Sequence, residues 1–160
     1  MEETAMFSPE EALEALKDCY CEHMLRFAEA NQAGGWRENL TGWLGSGVRK
    51  KARSDALNEF HQAAQALVED LCAGLEECPE QAGRSSAAAM EIILFYPLKQ
   101  GRALDLALAA IEGLAEPLVP YLEPAAAAEL ADRYRKRTPP RMMLPNQKAL
   151  FAQIQAQAET

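Results

Sequence analysis

Apolar residues recur at helical spacing along most of the chain. Leu13, Leu16, Tyr20, Met24 and Phe27 follow one another at intervals of three or four, so a 3.6-residue helix collects them on one face. Ser8-Pro9-Glu10-Glu11 precedes this run. A serine N-cap, a proline at the first helical position and a glutamate three residues after the serine together spell a helix start. Gly34-Gly35 closes the pattern, so the spacing predicts a helix over about 9–31. Leu57, Phe60, Ala64, Leu67, Val68, Leu71 and Leu75 form a second stripe. That helix runs to Cys78 and stops at Pro79; Val48 and the cap-like Ser54-Asp55 are both compatible starts.

The stretch from Ser86 to Tyr96 is apolar all round except at Glu91, a pattern that fits a buried helix or a buried strand. Ala87, Ala88 and Ala89 favour helix. Leu104, Ala107, Leu108, Ile111, Leu114 and Ala115 keep the spacing of a largely buried, central helix that reaches Pro117. Pro117, Pro120 and Pro124 then break the chain into turns, and Pro124 starts a helix that ends near Arg137. Thr138-Pro139-Pro140-Arg141 forces an extended connection to a last helix from about Asn146, which carries Leu150, Phe151 and Ile154 on one side. The whole reads as an all-α, single-domain bundle of about five to six helices over 1–160. Residues 138–160 form a candidate C-terminal arm that docks or swaps, its apolar side exposed beyond the proline linker.

Residues 34–47 interrupt the periodicity. They hold five of the nine glycines and both tryptophans, which predicts a loop with at most a short helical turn, in which Trp36, Leu40 and Trp43 would share a face.

Composition agrees with a folded, soluble domain: 49% of the 160 residues are apolar and 25% charged, enough to bury a core. No apolar run reaches the about 18 residues a membrane span needs, and Met1-Glu2-Glu3-Thr4 is acidic where a signal peptide is basic. A cytoplasmic location without membrane attachment is therefore expected. In that compartment Cys19, Cys21, Cys72 and Cys78 should be reduced.

The formal net charge of −8 disfavours a dedicated nucleic-acid binder. The charge is uneven, however. Ten of the sixteen Lys and Arg residues lie in Val48–Arg53 and Arg133–Lys148. The first cluster, Arg49, Lys50, Lys51 and Arg53, follows the Trp36 and Trp43 segment, and rings beside cations suit a base, a phosphate or an acidic partner. The second, Arg133, Arg135, Lys136 and Arg137, falls where a helix C-terminus favours cations for its own stability. Both also admit a bland explanation, as charges that face water or balance acidic helices.

Candidate chemistry is thin. Cys19-x-Cys21-x-His23 resembles metal-ligand vocabulary, but on a helix Cys21 points about 200° away from Cys19, so the three cannot grip one ion. Neither a C-x-x-C pair nor a Glu-x-x-His pair is present. Gly42 and Gly47 have the outer spacing of a phosphate-binding loop, but Val48-Arg49 stands where Lys-Ser/Thr is required. No catalytic residue, metal or cofactor is predicted. The expected function is that of a non-enzymatic helical interaction protein: an adaptor, chaperone-like factor, inhibitor or regulator. It would bind a protein partner, or a second copy as a homodimer, through a helical groove or its C-terminal helix. Its partner-binding candidates are the two basic clusters with Trp36 and Trp43, together with Leu150, Phe151 and Ile154. The alternatives are a nucleic-acid-binding subunit using the basic segments, or a small-molecule or metal site between helices.

Overall fold

A computed structural model describes residues 7–31, 43–95 and 109–160. These fold as an all-α bundle with no strand among them. Helix α1 (Pro9–Asn31) opens as its sequence predicts: the Ser8 hydroxyl accepts the Glu11 backbone N–H at 3.3 Å. Helix α2 (Trp43–Glu77) packs antiparallel on α1. Leu16, Cys19, Tyr20, His23, Met24 and Phe27 face Phe60, Ala64, Val68, Leu71 and Leu75, all buried. Phe60 is the pivot, with Tyr20 edge-on at 4.8 Å between centroids and His23 stacked at 5.1 Å. At the other end of the pair Phe7 lies on Gly74, where a methyl group would overlap its ring.

The start of α2 differs from both expected starts. The helix begins at Trp43 and passes through Gly45 and Gly47, so this part of the segment read as loop is helical. Each glycine costs a helix about 1 kcal/mol, but neither blocks the hydrogen-bond ladder as proline does, and extension of a long existing helix is cheap. Trp36 and Leu40 lie outside the described residues, as does the Leu104–Leu108 part of the expected central helix.

Pro79 ends α2 and, after the single joint residue Cys78, begins helix α3 (Pro79–Phe95). The same ring that removes a donor from α2 occupies the first turn of α3, where no donor is needed. The apolar run over Ser86–Phe95 is thus helical, and α3 starts earlier than its alanines suggest. It is the central element among the described residues, touching α1, α2, the segment that follows and the later helix Pro124–Arg137.

That segment, Glu112–Tyr121, is a 3₁₀ helix where the periodicity predicts α-helix up to Pro117. Pro117 and Pro120 lie three apart, one turn of a 3₁₀ helix, and each would clash with the carbonyl four residues back in an α-helix. Three-residue spacing also places Glu112, Ala115 and Leu118 on one buried edge. The carbonyls left by the prolines find other donors: the Cys72 thiol reaches the Pro117 oxygen at 3.7 Å and the Gln157 amide the Pro120 oxygen at 3.3 Å.

Helices α4 (Pro124–Arg137) and α5 (Pro145–Ala158) form an antiparallel pair that closes the bundle over the 3₁₀ segment. Between them Thr138 and Pro139 are extended and Pro140–Met142 makes one 3₁₀ turn. Leu150 and Ile154 are fully buried and Phe151 nearly so. The apolar side expected to stand exposed beyond the proline linker is instead packed within the bundle, because the extended 138–139 connection is short enough to fold α5 back along α4. Among the described residues no helix is long and apolar enough to cross a membrane.

Candidate functional site

The most concentrated polar chemistry lies where α3, the 3₁₀ segment, α4 and α5 meet. Glu112 falls on the 3₁₀ edge that faces inward, and its residue is only 4% exposed. One carboxylate oxygen accepts from Arg137 at 2.6 Å, while the other accepts from Gln147 at 3.0 Å and from the Tyr134 hydroxyl. Arg137 also donates to the Leu94 carbonyl and, at 3.2 Å, to Thr138 Oγ1, and its guanidinium sits 4.7 Å above the Tyr134 ring. Burial, reinforced by the Glu112 charge, holds the Tyr134 hydroxyl well above the usual tyrosine range. With three donors on two oxygens, this carboxylate is occupied by the chain itself. It joins the 3₁₀ segment to α4 and α5, Arg137 adds α3 through the Leu94 carbonyl, and no oxygen is left as a free acid or base for a substrate.

Around this cluster the four cations of the basic segment of α4 are paired locally with three carboxylates. Arg133 pairs with Glu91 and lies 4.3 Å above Phe95. Arg135 and Lys136 both reach Asp132 at 2.9 Å. Arg137 belongs to Glu112. The Arg49, Lys50, Lys51 and Arg53 group sits near the start of α2, with Lys51 exposed, and Trp43 is the first residue of that helix. The sequence reading missed Glu112, Tyr134 and Gln147. A signal existed for Glu112: a lone acid set between Ile111 and Leu114 in an apolar stretch.

Cys19 and His23 share the buried face of α1, while Cys21 is only half-buried, as helical geometry requires of positions two apart. Burial, then the nearby Glu22, pushes the Cys19 thiol up to about 11, so it stays protonated and a poor nucleophile at neutral pH. Among the described residues no three His, Cys, Asp or Glu side chains converge as a metal site.

Burial and the neighbouring Arg26 lower the pKa of His23, against opposing pulls from Glu22 and from Glu59 on α2. Its Nδ1 is buried without a hydrogen-bond partner among the described residues. Because the folded value lies below the unfolded one of about 6.5, the unfolded chain takes up this proton first. The associated stability is present above that value and is lost as pH falls. Urea unfolding should therefore give a midpoint that drops between pH 7 and pH 5, and drops less in His23→Leu. Equal slopes in the wild type and the variant would contradict the assignment.

Two surface features lie on the α4–α5 pair. A groove of about 310 Å³ runs between the helices, its apolar lining supplied by Ala128, Ala131, Phe151 and Ala158 and its polar lining by Asp132, Arg135, Gln155 and Glu159. At the end of the pair, the connection holds Met142 and Leu144 outward at 66% and 39% exposure, on either side of the buried Met143.

No protein-family model, curated protein or solved structure matches this chain.

Proposed function

We propose that this chain is a non-enzymatic helical interaction protein, of the adaptor, chaperone-like, inhibitor or regulator kind, and that it engages a protein partner through the α4–α5 pair. The observation that carries the reading is the connection between those helices. Pro139, Pro140 and Pro145 each fix a φ angle. Met142 and Met143 donate backbone hydrogen bonds to the Pro139 and Pro140 carbonyls at 2.8 and 3.2 Å, and the Leu144 N–H is held by Gln147 Oε1 at 2.8 Å. Met143 anchors the turn in the core. Two large apolar side chains are thus kept in water on a backbone with little freedom left to lose, so binding through them carries a small ordering cost. Further along the same helix pair, the groove adds a concave surface of mixed character, with alanines and Phe151 among charged and amide side chains.

Nucleic acid is the weaker alternative, since Arg133, Arg135, Lys136 and Arg137 are each engaged by a carboxylate of the chain itself, which reduces what that segment offers phosphate. Cys19, Cys21, Cys72 and Cys78 form no disulfide, which suits the cytoplasmic location that goes with this reading.

Affinity capture from the source cell with full-length protein tests the reading. A Met142→Glu, Leu144→Glu double variant should lose a specific protein partner, whereas Leu25→Glu, at an equally exposed apolar residue on α1 (68%), should retain it. All three positions are exposed, so stability should change by no more than about 0.5 kcal/mol. Capture that is identical with both variants would overturn the role of the connection.

A further inference from the structure

Resting on the interaction reading above, we infer that the partner is a second copy of this chain: Met142 and Leu144 of one copy seat in the α4–α5 groove of the other, with Arg141 against Glu159. Both halves of a contact are present on every molecule. The projecting half is apolar, preorganised and anchored by Met143. The receiving half is concave, with Ala128, Ala131, Phe151 and Ala158 offering apolar contact inside a polar border of Asp132, Arg135, Gln155 and Glu159. An apolar cavity of about 150 Å³ takes up one benzene-sized molecule, so a groove of about 310 Å³ has room for two side chains such as Met142 and Leu144.

Charge supplies the register. Asp132 is already engaged by Arg135 and Lys136. Among the described residues, Arg141 beside the projecting side chains and Glu159 beside the groove make no ion pair, and both are exposed. They carry opposite signs. The groove is centred about ten residues along the helices from the connection, roughly 15 Å at 1.5 Å per residue. In the proposed dimer two such pairs lie side by side about a two-fold axis, with that offset setting each connection against the other's groove. The resulting contact is made twice and closes on itself, giving a dimer rather than an open chain.

Sedimentation equilibrium and light scattering on the full-length chain test this. The wild type should dimerise with rising concentration. Met142→Glu with Leu144→Glu should be monomeric, as should Ala128→Glu, which places a charge in the groove from an exposed position. Mixing the two variants restores one of the two contacts and should recover partial association. Arg141→Glu and Glu159→Arg should each weaken the dimer about tenfold, and the two together on one chain should restore it. A wild type that stays monomeric at every concentration overturns the inference. So does a dimer indifferent to both sets of changes. If the wild type is monomeric and the Met142→Glu, Leu144→Glu variant still loses a foreign protein in affinity capture, this inference fails and the interaction reading stands; if neither association is found, both fail.

Discussion

Glu112→Ala should lower the stability of the chain by about 3–5 kcal/mol, the usual consequence of removing one partner of a buried, hydrogen-bonded charge pair. The loss falls on the neighbours more than on Glu112 itself. Without the carboxylate, Arg137 keeps a positive charge in a site where only 17% of its side chain meets solvent, and Tyr134 and Gln147 each lose an acceptor. For a chain of this size the melting temperature should fall by roughly 6–20 °C. Calorimetry or urea titration reads this directly. The graded variants are equally informative. Tyr134→Phe removes one donor while two remain on the carboxylate, and should cost about 1 kcal/mol. Replacing the pair together, Glu112→Leu with Arg137→Met, should recover much of the loss, because well-packed apolar residues often match a buried ion pair. A Glu112→Ala protein within about 1 kcal/mol of wild type would show that the carboxylate is not enclosed as described.

Leu150→Ala is expected to cost about 2–5 kcal/mol, since Leu150 is fully buried between α5 and its neighbours and the vacated volume is not refilled. The same experiment decides whether α5 is an arm. Its first turn is tied to the 3₁₀ side of the bundle by Asn146, whose amide donates to the Ala109 carbonyl at 2.7 Å, and by Gln147 on Glu112. Its last turn is tied by Gln157, whose amide donates to the Leu122 carbonyl at 2.7 Å. Pinned at both ends, α5 should exchange its amide hydrogens only with global unfolding, at the same free energy as α3. Earlier exchange of α5 alone, with Leu150→Ala leaving the melting of the remainder unchanged, would restore the detachable arm.

The elements legible in the sequence were those whose ends are marked by chemistry. Ser8-Pro9 and Pro124 fix helix starts whatever surrounds them, and α1 and α4 fall where those signals put them. The start of α2 was hidden because Gly45 and Gly47 raise the local cost of helix without forbidding it, so tertiary context decides. The 3₁₀ segment was hidden for a different reason. Ile111, Leu114, Ala115 and Leu118 satisfy periods of 3.0 and 3.6 nearly equally over so short a run, and only the joint demand of Pro117 and Pro120 separates them.

The polar cluster was the least legible part. Glu112, Tyr134, Arg137 and Gln147 are unremarkable singly, and their meeting depends on which edge of the 3₁₀ segment turns inward. Arg137 illustrates the ambiguity: the same residue suits a helix C-terminus, a phosphate site or a buried pair, and only its distance from Glu112 chooses. Leu150, Phe151 and Ile154 read correctly as one face, but nothing in a stripe states whether it meets water or its own chain.

The position of Glu112 in the chain has a consequence for synthesis. The acid emerges well before Tyr134, Arg137 and Gln147, the residues that neutralise and cover it. Until they follow, burying the inward edge of the 3₁₀ segment would strand a carboxylate without donors, so that edge gains a place in the core only once α4 and α5 are made. A nascent chain interrupted before α5 leaves that edge uncovered, a partly folded state of the sort that cellular quality control acts on.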